Sequence, residues 1–527
     1  MIESFLRDTP VEQISYTTFM RSAAKEACVR FGISEAERRE LWFRTLHSTC
    51  YRVLGLTKDK VVDNGWLKEF GEKHYFPMDV DRSVTEMEEI AEAVLQIQAA
   101  LDIGAQHERF PGTFYRGIYN LSRLLCSTAE ELDAVRLAPH PKSYNMIPAD
   151  GSFSSGRYAD FVLAYEKAKR SDGVWDFVDF LERVLREHPP TPPWKYAVID
   201  EFQDYNPLQG SVSEYLYDGC KLLTLAGDDD QSIFSFQGAN AASFLAYRDR
   251  GHVMELRRTH RFGQRLVDYS QQIARRVADR IEKHTIGLPG RENNIQVLYD
   301  WDPAKLNGHH TLLLHRHVRG CRAIGKRLIA AGIPFWNERG ANPLGKSTEL
   351  AAYEAWRKMI HGVPIYAHDL SSLLEHIPSV YEEHGERTRL VIHGQKKTVR
   401  EMLGKKPVEA KDLVNVFTPA MLNRIQANDT SLLRIHFTDY YEALLRKGID
   451  PHAPPHIIVS TIHGAKGREF DHVQVWMETF PKALRSGSDD EHRIAYVAVT
   501  RTRGDLDLIM APIVGAWTSR YPYPEVP

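Results

Sequence analysis

Two adjacent acids at the end of an apolar run are the first residues able to do chemistry. Tyr196-Ala-Val-Ile199 leads straight into Asp200-Glu201-Phe202-Gln203-Asp204. A short apolar run of this kind reads as a buried parallel strand, and open α/β sheets bind ligands at the C-terminal ends of such strands. Asp200 could there hold Mg²⁺, a hard cation that takes oxygen ligands and bridges to phosphate. Glu201 could orient and deprotonate an attacking water. A solvated turn is the ordinary reading of a bare acid pair after a strand. Apolar residues followed by DEFQD make it a poor one.

A second run, Leu222-Leu-Thr-Leu-Ala226, ends in Gly227-Asp-Asp-Asp-Gln231. Gln231 can reach a phosphate oxygen or a water. Phe234 and Phe236 follow at a spacing that could present ring faces, which stack bases at about 1–3 kcal/mol each. From spacing alone, core burial of both rings is an equal alternative. The segment Val459–Phe470 brings glycines after a strand, where backbone can approach a ligand closely. In Arg493-Ile-Ala-Tyr-Val-Ala-Val-Thr-Arg501, an arginine follows an apolar stretch. An arginine touching a γ-phosphate stabilises transferred charge, whereas a lone arginine is usually a surface charge.

Elements must hold these residues. His456–Ser460 and Leu506–Met510 are further apolar runs. Helical patterns lie at Glu166–Arg170, Asp176–Arg186 and Gln264–Arg280. Strands alternating with helices predict an α/β architecture with parallel sheets. The stretch His188-Pro-Pro-Thr-Pro-Pro-Trp194 is a stiff lead-in to the first acidic strand. Residues 55–150 and 364–450 carry helical patterning and no chemical motif, and read as insertions.

The 527 residues predict three or four domains at roughly 150 residues each. Apolar residues make up 43% and charged residues 26%, which excludes a disordered or fibrous chain. Net charge is −3, so nothing advertises nucleic acid in bulk, although a local groove can still be basic. Cys28, Cys50, Cys126, Cys220 and Cys321 form no CxxC pair, which argues against zinc, iron–sulfur and disulfide scaffolds and for a reducing compartment. No apolar run reaches the roughly 18 residues of a membrane span. The N-terminus lacks a signal-peptide h-region. A cytoplasmic protein with no membrane partner is expected.

The order DEFQD, GDDDQSIFSFQGA, TIHGAKGREF, YVAVTR resembles the UvrD/Rep-type superfamily 1 helicases. Tyr16–Ala24, Arg44-Thr-Leu-His-Ser48, Trp175–Phe180 and Leu256-Arg-Arg-Thr-His-Arg261 resemble further motifs of that family. The resemblance implies two RecA-like parallel-sheet cores of the P-loop NTPase type with mainly helical insertions. The first core would occupy 1–54 and 166–255, with its insertion at 55–165. The second would occupy 256–363 and 451–527, with a reduced insertion at 364–450. ATP and Mg²⁺ would lie between the cores. Asp200 would bind the metal, and Glu201 would be the base. Gln203 and Gln231 would complete the catalytic set on that side. Arg261 and Arg501 would meet the γ-phosphate, and Gly467 and Glu469 the nucleotide. Thr18, Phe19, His47, Phe234, Phe236, Thr461 and His463 would line a single-stranded DNA path, travelled 3′→5′ in repair, recombination or replication.

The pattern departs from the family in places. Phe234 and Phe236 stand where Tyr and Trp are usual, Gln237 replaces an arginine, and His260 replaces a tyrosine. The family also has a glutamine-containing adenine motif and a GxxxxGK[ST] loop ahead of the segment at Tyr16, and neither precedes it here. Met1–Arg7 reads as the tail of the helix that should follow that loop. The missing strand is expected in the interior of the first sheet, where its loss would leave two strand edges bare. An upstream segment or a companion polypeptide would then supply the loop. The alternative is a DNA-binding subunit without ATPase activity. Gly340-Ala-Asn-Pro-Leu-Gly-Lys-Ser347 matches the loop pattern. Its position in the second core makes it a chance match.

Overall fold

A computed structural model describes residues 5, 7–19, 21–79, 111–139, 141–142, 153–235, 238–306, 310–337, 340, 342–345, 347–377, 380–383, 386–389, 406–408, 413, 416–477 and 488–513. The first sheet contains β1 (Ile14–Thr18), β2 (Trp42–Thr45), β3 (Tyr196–Ile199) and β4 (Leu222–Leu225). All pairs are parallel, in the order β2-β1-β3-β4. The order reverses direction between β1 and β3, which opens a crevice beyond their C-terminal ends. Side chains alternate across β3. Ala197 and Ile199 join the cluster shared with the helical insertion. Val198 faces Ile14, Phe43 and the helix Arg21–Arg30.

The expected interior gap is not there. β3 is paired on both sides, and the four strands are contiguous. β4 is instead an edge strand, with Leu222 46% exposed. Its continuous apolar pattern resembles a central strand, yet among the described residues its outer side carries no neighbour.

The second sheet follows. Along the chain come β5 (Ile295–Leu298), β6 (Thr311–His315), β7 (Trp336–Asn337), β8 (Val380–Glu383), β9 (Glu386–Arg389), β10 (Ile457–Thr461), β11 (Phe470–Trp476) and β12 (Thr502–Ile509). Six of these make a parallel sheet in the order β5-β12-β11-β6-β10-β7. The two parallel-sheet cores expected from the motifs are therefore both present. β8 and β9 pair as an antiparallel hairpin, an exception within a segment read as helical. The helix expected over Gln264–Arg280 ends at Ala274.

The segment expected as the first insertion is helical where described, with Asn64–His74, Pro111–Leu124 and Ala129–Leu137, while Ser155–Asp172 runs past its expected end at residue 165. It packs against the helix Phe177–Glu187, which starts with a reciprocal cap. Asp176 accepts from the Asp179 amide at 3.0 Å and Asp179 accepts from the Asp176 amide at 2.8 Å. The remaining carboxylate oxygens hold Arg123, which is completely buried. Its guanidinium meets Asp176 at 2.7 Å, Asp179 at 2.8 Å and Glu182 at 3.3 Å. Lys169 shares these carboxylates, reaching Asp179 at 2.8 Å and Asp176 at 3.1 Å. Burial pushes Glu182 up to about 7 against the pull of Arg123 and Arg136. Removing one partner of such a cluster strands buried charge. Arg123→Met is expected to cost about 3–5 kcal/mol, seen as an earlier transition in chemical denaturation. An unchanged transition would show that the cluster contributes nothing.

A third apolar cluster runs from Leu344 to Leu444, including Tyr353, Trp356 and Phe417. It starts upstream of residue 364, the boundary expected for the second insertion. The GxxxxGKS match lies at its entrance. It follows β7, the outermost strand of the second sheet, and Ser347 opens the helix Ser347–Ile360. The amides of Leu344 and Gly345 donate to Asn342, at 3.0 and 3.2 Å. A phosphate cradle needs such amides free. Lys346 lies outside the described residues. Among the described residues, no helix is long and apolar enough to cross a membrane.

Candidate nucleotide and nucleic-acid site

Asp200 leaves the end of β3 with its amide donating to the Thr17 carbonyl at 2.8 Å. Tyr16, on β1, donates its hydroxyl to Asp200 Oδ2 at 2.7 Å. Burial raises Asp200 above the usual carboxylate range; the Glu201 charge adds to this, and the Tyr16 bond opposes it. Each Asp200 oxygen has one protein donor, Tyr16 for Oδ2 and the Glu201 amide for Oδ1. Lone pairs therefore remain for a hard cation, and the site fits Mg²⁺.

Glu201 has φ +56°, the left-handed region that a non-glycine residue adopts at a cost. Its carboxylate accepts from Gln203 Nε2 at 2.6 Å. Gln203 is fully buried and joins two loops. Its side-chain oxygen accepts the Asp228 amide at 3.0 Å, and its carbonyl accepts Ser232 Oγ at 3.0 Å. A Cβ on Gly227 would lie 2.5 Å from that side-chain oxygen, so glycine permits the close approach.

Gln231 faces both cores. Its Nε2 donates to Asp228 at 2.8 Å, and its Oε1 accepts from Arg501 Nη2 at 3.1 Å. Arg501 is 1% exposed, just past the helix Asp489–Val499, with Nε on the Val497 carbonyl at 3.0 Å. Burial, then the nearby Arg261 charge, pushes Arg501 down to about 10. Arg261 donates to the Thr500 carbonyl at 2.9 Å and to Glu469 at 2.5 Å, while its Nε is buried without a partner. Glu469 also receives Arg503 at 2.8 Å. Burial alone would raise Glu469; Arg261 and Arg503 outweigh it and hold the carboxylate low. Gly467, at φ +79°, precedes it in the same loop. Two close guanidiniums, one lacking a donor's partner, form a place where an anion is favoured.

The residues expected along a DNA path are mostly buried. Phe234 is 7% exposed and stacks with the half-buried Phe19 at 5.6 Å. The His463 ring lies 6.1 Å away and Lys466 Nζ sits 5.0 Å over the Phe234 ring. Phe234 thus packs into the second core's apolar cluster and offers no open face in this arrangement. Thr461 Oγ1 accepts the Gly464 amide at 3.1 Å. Thr18 is fully buried with its hydroxyl unpartnered. His47 packs edge-on to Phe177 at 6.4 Å, and burial pushes it down to about 4. Burial, with Arg316 nearby, holds His463 well below the usual histidine range. Both rings are therefore neutral at physiological pH. Phe236 lies outside the described residues.

Several contacts between the cores had no sequence reading. Asp230 is clamped by Arg280 at 2.7 Å and Lys283 at 2.7 Å. Arg493 reaches the Asp229 carbonyl at 3.1 Å. Lys466, inside the motif TIHGAKGREF, is 4% exposed and bonded to the first core. A lysine between Ala465 and Gly467, with a buried strand just upstream, was the available signal.

Comparison with known proteins agrees with this geometry. The UvrD/REP helicase N-terminal domain family matches residues 5–251, and the UvrD-like helicase C-terminal domain family matches residues 364–512. ATP-dependent DNA helicase PcrA of Leuconostoc citreum is 24% identical over 281 residues, 50% of this chain and 33% of that protein. RecBCD enzyme subunit RecB of Mycolicibacterium smegmatis is 34% identical over 130 residues, 23% of this chain and 12% of that protein. ATP-dependent DNA helicase UvrD1 of Mycobacterium tuberculosis is 25% identical over 365 residues, 62% of this chain and 44% of that protein. The chain spans less than half the length of each of these relatives. Two parallel-sheet cores, the motif order and both family matches together establish that the chain belongs to the UvrD/Rep-like superfamily 1 helicases.

Proposed function

We propose that this chain binds ATP between its two sheets and couples hydrolysis to movement along single-stranded DNA, as a helicase or translocase. One observation carries the reading. Gln231, beside the acids of the first core, is bonded to Arg501 of the second, with Arg261 and Glu469 behind it. Asp200 would hold Mg²⁺, which when bound neutralises phosphate charge. Glu201, held by Gln203, would take the proton of the attacking water. Gln231 would register the γ-phosphate, and Arg501 and Arg261 would stabilise its charge. Gly467 and Glu469 would meet the rest of the nucleotide. Thr18, Phe19, His47, Phe234, Phe236, Thr461 and His463 would line the DNA path. Phe234 would do so only after the cores shift, because its ring is covered here.

The proposed division is 1–54 with 166–255 for one core and 256–363 with 451–527 for the other, with insertions at 55–165 and 364–450. The proposed direction is 3′→5′, in repair, recombination or replication within the cytoplasm. This rests on the family alone.

A second reading has its own observation. The amides of Leu344 and Gly345 in the GxxxxGKS match are bonded to Asn342, so that match offers no open phosphate cradle. The chain would then work with a companion segment or polypeptide supplying the phosphate loop, or bind DNA without hydrolysing ATP. Phosphate release with and without single-stranded DNA separates the two. DNA-stimulated release by this chain supports the first reading. DNA binding without release, restored by a companion carrying the loop, supports the second.

A further inference from the structure

Lys466 has no place in the chemistry above, yet it makes an enclosed polar contact between the DNA motifs and the acidic turn. It stands five residues after the end of β10 and three after His463. Its Nζ donates to Asp204 Oδ2 at 2.5 Å and to the Gln231 carbonyl at 2.5 Å. The same ammonium lies over Phe234. Asp204 is 3% exposed, and its other oxygen has no partner. From Asp204 Oδ2 the contact continues to Gln203 Nε2 at 3.5 Å, and from that nitrogen to Glu201 at 2.6 Å. One ammonium therefore touches both first-core loops that carry Glu201 and Gln231. It is anchored on the second-core segment that carries Thr461 and His463.

We propose that Lys466 is a positioning residue: it transmits occupancy of the Thr461–His463–Phe234 region to Glu201 through Asp204 and Gln203. This rests on the functional reading above and names a route for its coupling. A DNA strand that moves the loop after β10 moves the ammonium, and with it the turn that aims Glu201. Burial makes the link stringent, because an enclosed ammonium that loses Asp204 is left as an uncompensated buried charge. Two distant sites are coupled through an element that both of them bias. Here that element is the 200–204 turn, strained at Glu201.

The test reads the turn directly. Hydrogen exchange of amides 200–206 is followed in the full chain with and without a single-stranded thymidine oligonucleotide, without ATP. In the unaltered protein, the oligonucleotide is expected to change exchange there. In Lys466→Met that change falls about tenfold, while oligonucleotide affinity, read by anisotropy, stays at its original level because the ammonium is enclosed. Asp204→Asn is expected to do the same from the other side, and decides the question if Lys466→Met does not fold. The double variant should lose no more than either single one, as partners in one link do. Where hydrolysis is measurable, DNA-stimulated kcat falls and KM for ATP does not. A full response in the substituted proteins, or additive losses, overturns the proposal while leaving the functional reading intact. Failure of the unaltered chain to bind the oligonucleotide overturns both.

Discussion

Arg501→Gln is expected to lower kcat for ATP hydrolysis by about 10³–10⁵-fold, the range an arginine on the γ-phosphate supplies. Arg501 is fixed at Nε by the Val497 carbonyl and at Nη2 by Gln231. Its orientation is thus set by protein contacts alone, which is the condition for electrostatic stabilisation without reorganisation. Arg261 stands close enough for its charge to push Arg501 down. A polyphosphate between the two would relieve that repulsion. The loss should appear in kcat rather than in KM, because charge builds most in the transition state. Lysine at 501 should restore little, since it cannot hold the backbone and reach Gln231 together. Because Arg501 is buried, thermal denaturation of the variant must accompany the kinetics. A folded variant with kcat within a few-fold of the original would remove Arg501 from the mechanism.

Glu201→Gln is expected to reduce turnover by about 10²–10⁴-fold, the contribution of a positioned general base. The substitution isolates charge from shape. Glutamine keeps an acceptor oxygen for Gln203 Nε2 and bears the same left-handed backbone cost. Nucleotide binding should persist or strengthen, because one negative charge is withdrawn from beside the phosphates. Turnover within tenfold of the original, in a folded protein, would mean that another group accepts the proton. For a chain that needs a companion for the phosphate loop, both substitutions are measured in the assembled form.

The acidic strand was legible because β3 is apolar throughout and ends in charge. β4, β10 and the second half of β12 were legible from their apolar runs alone, without charge at the end of β10 or β12. β1 was not, although all five of its residues are buried. Its sequence, ISYTT, looks half-solvated. Ser15 and Thr17 are satisfied by Tyr217, whose hydroxyl lies 3.1 and 2.6 Å away. A partner some 200 residues distant hides burial from any local pattern. β11 was obscured in the same way. His472 and Gln474 both bond Asp507 of β12, each at 2.8 Å. The site divides along the same line. Residue type and order picked out Asp200, Glu201, Gln231, Arg261 and Arg501. The Lys466–Asp204 contact and the clamp on Asp230 exist only once the two sheets meet. The covering of Phe234 could not be read from spacing, which left stacking and burial equal.

Glu201 occupies a backbone conformation that glycine would hold without steric cost. A sequence selected for folding alone would drift towards glycine at this turn. The position therefore sets local stability against the chemistry proposed for Glu201. Stabilising substitutions chosen by backbone preference would single out residue 201, and would yield a sturdier protein without its proposed base.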